Sequence, residues 1–151
     1  SGQNGSLERF ARAAGHRKGA TTAADAVRNA FTTLDAVAQG EYTQWSIVYD
    51  IGSRRIYFRT QAGRKVRWID MTKLGFACHR PVAMLDVNAP LSGDVTAMLE
   101  TYDPAANTKL VHTAFAKTPF LTSVPAEERD ELARYPETTR CARGPAERSG
   151  K

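Results

Sequence analysis

Few residues in this chain have the chemistry of a nucleophile, a base or a metal ligand. Cys78 is followed by His79, a pair that would suit an activated thiolate or part of a metal site. No second cluster at metal spacing accompanies it, so no metal is expected. No cofactor is expected either, because the chain has no glycine-rich phosphate loop, no His-Glu zinc helix and no G-x-S-x-G elbow. Cys78 and Cys141 could form one bridge. A single pair in 151 residues is no disulfide framework, and the expectation is a buried thiol at Cys78 and a loose one at Cys141. His16 and His112 stand alone and read as structural or surface residues. Asp86, Asp94 and Asp103 read as solvated acids in loops and helix starts. Ser1 offers a hydroxyl beside an amine, but Ser1–Gly5 has loop composition and no triad partner in view. Asn4-Gly5-Ser6 matches a glycosylation sequon. By residue type alone, Arg9 is a helix-face arginine.

The elements that must position such groups are legible from periodicity. Ser6 is expected to cap a short helix through Ala14, with Leu7, Phe10 and Ala11 on one side. Thr21 or Thr22 then caps an amphipathic helix to about Gln39. Its apolar stripe is Val27, Ala30, Phe31, Leu34 and Val37, and Gly40 stops it. A three-stranded antiparallel meander follows over Tyr42–Tyr49, Arg55–Thr60 and Lys65–Ile69. Asp50-Ile51-Gly52-Ser53 and Gln61-Ala62-Gly63 are its turns, with Gly52 available for positive φ. Along the first strand Trp45, Ile47 and Tyr49 share one face. Along the second, Ile56 and Phe58 oppose Arg55, Tyr57 and Arg59. Met71–Phe76 reads as a turn with a short helical piece. Val82–Val87 reads as a fourth strand, and Ser92 as the cap of a short helix through Glu100. Ala105–Lys117 reads as a helix after Pro104. Pro125 opens a charged helix, AEERDELARY, and residues 136–151 read as a flexible tail after one domain over 1–135.

This order gives an α+β class with an antiparallel sheet and flanking helices. Large apolar groups on both sheet faces call for two covering layers. The two good helices supply only part of that cover, so missing sequence or another chain is expected to supply the rest. At 42% hydrophobic and 25% charged, the composition is that of a globular domain. No apolar run approaches the roughly 18 residues a membrane span needs. The chain begins Ser1-Gly2 without Met, which fits a processed chain or a piece of a longer one. The net charge of +5 is uneven. Arg54, Arg55, Arg59, Arg64, Lys65 and Arg67 crowd the hairpins, whereas Pro81–Asn107 holds acids and no base. The split favours internal pairing over one polyanion-binding face.

Several segments together resemble the choloylglycine hydrolase family of linear amide C–N hydrolases, to which bile salt hydrolases and penicillin V acylases belong. Ser6–Ala13, SLERFARA, resembles that family's S-x-x-R-F-x-R-A segment. TQWSIVYD, RRIYFRT, WID, LGFAC and LDVNAPLSGDVT follow like further segments in the same order. The resemblance covers about Ser6–Thr96 and extends more weakly to Phe115. It implies a C-terminal portion of an N-terminal-nucleophile hydrolase, and hence a partial αββα sandwich of two stacked sheets between helical layers. It implies amide hydrolysis on N-acyl small molecules by an N-terminal cysteine, whose α-amino group acts as base. Arg9 matches the arginine beside that nucleophile. Neither Cys78 nor Cys141 matches the nucleophile's position, and the Asp and Asn residues that complete the site have no match here. The chain alone is therefore expected to be inactive. A periplasmic or secreted location is favoured slightly, and a homo-oligomer is compatible.

Two other readings stand beside this one. Arg55, Tyr57 and Arg59, with Lys65, Arg67 and Trp68 nearby, could hold single-stranded nucleic acid by stacking and phosphate contacts. A solvated outer hairpin explains the same residues, and nucleic acid is the less favoured partner. The third reading is a catalytically dead interaction domain on the hydrolase fold.

Overall fold

The computed structural model describes residues 5–16, 19 and 22–139. The chain divides into two compact units. One runs up to Gly75 and takes in Leu85–Leu99; the other holds Phe76–Met84 and the chain from Glu100 onward.

The first unit opens with α1, Ser6–Gly15. Its N-cap is Gly5 and no side chain caps it, so Ser6 is the first helical residue rather than the cap. Leu7 and Phe10 are exposed. Helix α2, Ala23–Ala36, begins as its sequence dictates, with Thr22 Oγ accepting from the Asp25 amide at 3.1 Å. Phe31 is buried and the other stripe residues are half-buried. The helix ends at Val37, and Gly40, at φ 57°, turns the chain beyond it.

Strands β1 (Trp45–Asp50), β2 (Arg55–Thr60) and β3 (Arg67–Asp70) form the meander. Tyr42 lies outside it, exposed in a single 3-10 turn, because Gly40 and a bond from the Gln39 amide to Thr43 Oγ fold the chain before the strand. In the first hairpin Arg54, not Gly52, takes the positive φ, at 53°. The Asp50 carboxylate holds that turn by accepting from the Ser53 amide and hydroxyl. The register pairs Ile47 with Phe58 and Tyr57 with Trp68.

The helix expected from Ser92 through Glu100 is reduced to a single 3-10 turn, Thr96–Met98, and Ser92 does not cap it. Gly93–Asp94 is instead a short strand, β5, parallel to β3 at the far edge of the sheet. Gly93 sits at φ 75°, and the Gly93 and Val95 amides bond to the Val66 and Trp68 carbonyls at 3.1 and 3.0 Å. Pairing with β3 thereby satisfies the backbone that a helix would have satisfied internally, and it buries Val95. The expected strand over Val82–Val87 is reduced to β4, Ala83–Met84, which pairs in the second unit with β6, Glu100–Thr101. Leu85 and Val87 belong to the first unit, where they lie against the meander.

The sheet has two distinct faces. Trp45, Ile47, Tyr49, Ile56, Phe58, Arg67 and Ile69 lie on one. Val48, Arg55, Tyr57, Arg59 and Trp68 lie on the other, which α2 covers through Phe31. The first face is covered only partly, by the segment around Leu85 and Val87; Trp45 and Tyr49 remain 62% and 65% exposed.

In the second unit Asp103 caps α3, Pro104–Lys117, by accepting from the Ala105 amide at 2.9 Å, with Pro104 in the first turn. Helix α4, Ala126–Thr138, passes through Pro136 in its last turn. Asn107 Nδ2 donates to the Ala133 carbonyl at 2.6 Å, and His112 Nε2 meets Asp130 Oδ1 at 2.7 Å. Cys78 is exposed and disulfide-bonded, which corrects the buried thiol expected there. The chain's other cysteine, Cys141, lies outside the described residues, as do Ser1, Asn4, Thr21 and residues 140–151. No helix among the described residues is long and apolar enough to cross a membrane.

Candidate functional site

Arg9 and Arg12, three residues apart on one face of α1, both reach the C-terminus of α2. Arg9 Nε donates to the Val37 carbonyl at 3.1 Å and Arg12 Nη1 to the Ala36 carbonyl at 3.0 Å. A helix leaves its last carbonyls without internal partners and carries partial negative charge there. Helix α2 has no basic residue in its own last turn, so α1 supplies the cations. Arg9 is half-buried, and its Nε bond sets the plane of the guanidinium fork.

Beyond this helix end lies an open cleft of about 460 Å³, lined by Asp35, Glu41, Trp45, Ser46, Arg59 and Arg64 among others. That volume suits a small organic molecule. Arg59 is held by an ion pair to Asp35 and stacks over Phe31, 4.8 Å from the ring centroid. The cleft therefore presents two cations, two carboxylates and an exposed indole.

The six clustered bases do not form one surface. Arg67 lies on the opposite sheet face from Arg55 and Arg59 and is 1% exposed. Arg55 stacks on Trp68 at 4.4 Å, and Arg59 is paired. Of the residues that suggested a nucleic-acid platform, one is core and two are engaged within the fold.

Two constellations were missed from the sequence. Arg67 Nη1 donates to the Val87 and Ala89 carbonyls at 2.5 and 3.3 Å, and Nη2 to the Gly63 carbonyl at 2.7 Å, while the guanidinium lies over Phe58. It fixes the segment around Val87 against the apolar face. The second is a repeated Asp-x-Thr pattern, Asp70-Met71-Thr72 and Asp94-Val95-Thr96. In each, one carboxylate oxygen accepts from the threonine amide and hydroxyl. Those hydroxyl bonds, then Lys73 nearby, hold the Asp70 and Asp94 carboxyls below their ordinary range; the Ser53 hydroxyl does the same for Asp50. The repeat was visible as sequence, but nothing there placed the two turns side by side.

The disulfide at Cys78 removes it as a thiolate nucleophile, and Ser1 and Cys141 lie outside the described residues. Among the described residues no group of three or more His, Cys, Asp or Glu is placed to hold a metal ion.

No family model matches the sequence, and no curated protein matches it. Among solved structures, a penicillin V acylase from Agrobacterium tumefaciens is similar, with a TM-score of 0.58 and 24% identity. The match covers 69% of this chain and 39% of that one. The likeness shows the fold: α+β, with part of the αββα sandwich of an N-terminal-nucleophile hydrolase. The chain spans well under half of the solved chain that it matches.

Proposed function

We propose that this chain is part of an amide C–N hydrolase of the N-terminal-nucleophile type. Its contribution is the meander, α2 and the arginine-bearing α1. The nucleophile is an N-terminal cysteine provided from outside these residues, and the substrate is an N-acyl amide. The observation that carries this reading is the fold shared with a penicillin V acylase over 69% of the chain. The position of Arg9 supports it. A guanidinium anchored at Nε to the end of a helix can hold a neighbouring thiol as thiolate and orient the polar groups around it.

The partly covered sheet face supports the same reading, because two apolar faces in a sandwich exclude water only when stacked. The test is to assay release of free amine from N-acyl substrates, including a penicillin. The chain is assayed alone and joined to a segment bearing an N-terminal cysteine of this hydrolase type. The chain alone should be inactive and the joined protein active. A joined, folded protein that cleaves no amide or lactam overturns the proposal and leaves the interaction-domain reading.

A further inference from the structure

Strand β1 is the edge of the four-stranded sheet, and its bonds to β2 fix which backbone groups face outward. The Gln61 amide bonds to the Gln44 carbonyl at 2.8 Å, and pairs then alternate along the register. Ser46, Val48 and Asp50 are thus bonded to β2. Trp45, Ile47 and Tyr49 direct both N–H and C=O away from it, with no strand beyond among the described residues. Natural edges are blunted by lysine, proline or a bulge. WSIVYD has none of these.

We propose that this edge pairs with β1 of a second copy of the chain, antiparallel and centred on Ile47. That register sets Ile47 opposite Ile47 and Trp45 opposite Tyr49, so each outward N–H meets an outward C=O. The same pairing places the two exposed aromatics side by side on one face, an arrangement favoured across antiparallel strands. On the other face Ser46 falls opposite Val48, and Gln44 opposite Asp50. No like charges oppose one another. A second copy satisfies this edge because the strand is complementary to itself about Ile47, as a two-fold interface requires.

The test of this joint is read on the 151-residue chain without substrate, so its failure is distinguishable from failure of the amide-hydrolase reading. Light scattering on the 151-residue chain at low and high micromolar concentration should show mass rising toward a dimer. Amide exchange at high concentration should then be as slow at Trp45, Ile47 and Tyr49 as at Ser46 and Val48. Ile47→Pro removes an N–H that β2 does not use, and Tyr49→Lys adds a charge at the edge; both should give monomers with unchanged far-UV circular dichroism. A monomer at every concentration, or a dimer that survives Tyr49→Lys with fast exchange at Trp45, Ile47 and Tyr49, overturns the proposal.

Discussion

The Asp70 amide donates to Thr96 Oγ at 2.8 Å, and that hydroxyl donates onward to Asp94 Oδ1 at 2.6 Å. One threonine hydroxyl therefore continues the β3–β5 ladder where the strands end and fixes the carboxylate of the second Asp-x-Thr turn. Thr96→Val keeps the shape and deletes both bonds. The half-buried Asp70 amide then loses its partner, which should cost about 1–3 kcal/mol in urea unfolding. Thr96→Ser, which keeps the hydroxyl, should recover most of it.

Acid should weaken the first unit through Asp50, Asp70 and Asp94. All three carboxyls lie below their ordinary value when folded, and each is led by a hydroxyl bond from Ser53, Thr72 or Thr96. A depressed folded pKa means that the unfolded chain binds protons first. The stabilisation is present above the unfolded value of about 3.9 and is lost as pH falls through the folded values. Unfolding followed by tryptophan fluorescence should be flat from neutral pH to about 5 and then fall. Thr72→Val should reduce the pH-dependent part. An unchanged acid limb would assign it to other groups.

Arg67 should be intolerant of substitution despite its charge. Its buried guanidinium donates to three backbone carbonyls, at Gly63, Val87 and Ala89, which lose that partner when it is removed. Hydrogen bonds from charged donors contribute about 1.5–3 kcal/mol each. Arg67→Met, which keeps the apolar stem, should therefore destabilise by roughly 3 kcal/mol or more. Gly63 depends on the same group, since a Cβ there would meet Arg67 Nη2 at 3.0 Å and Nη1 at 3.1 Å. Gly63→Ala should cost less, because the guanidinium can shift by a few tenths of an ångström. Thermal unfolding of the two variants should rank them in that order.

What was legible in the sequence is what local chemistry decides. Thr22 as a cap, the α2 stripe on Phe31 and the Arg55–Thr60 strand follow from capping and period. Arg67 shares the Ile69 face of its strand, so its charge is misleading: the basic run groups it with Arg55 and Arg59, whereas the register buries it on the opposite face. Gly93–Asp94 was not legible, since a two-residue parallel strand has no local signal and exists only because β3 offers it carbonyls. Arg9 was readable only through resemblance. Its partner is the Val37 carbonyl, 28 residues away, and no local pattern points there.

Arg9 can be tested for a structural and a chemical role separately. Its Nε bond at the end of α2 complements the helix dipole, a contribution of about 0.3–1 kcal/mol. Arg9→Lys keeps a cation near that helix end, so it should lose a few tenths of a kcal/mol at most. Arg9→Ala should lose the full amount. In the protein joined to an N-terminal cysteine segment, the expected ranking of activity differs from that of stability. If the guanidinium fork orients the thiolate and its neighbours, lysine cannot replace it, because a point charge on a flexible stem offers no fixed plane. Both variants should then lose about tenfold or more in kcat, with Arg9→Lys nearly as stable as the parent. The pH at which half the thiol is alkylated by iodoacetamide should rise in Arg9→Ala, where the cation is gone, and rise less in Arg9→Lys. If activity follows stability across the two variants and the alkylation midpoint stays fixed, Arg9 serves α2 alone.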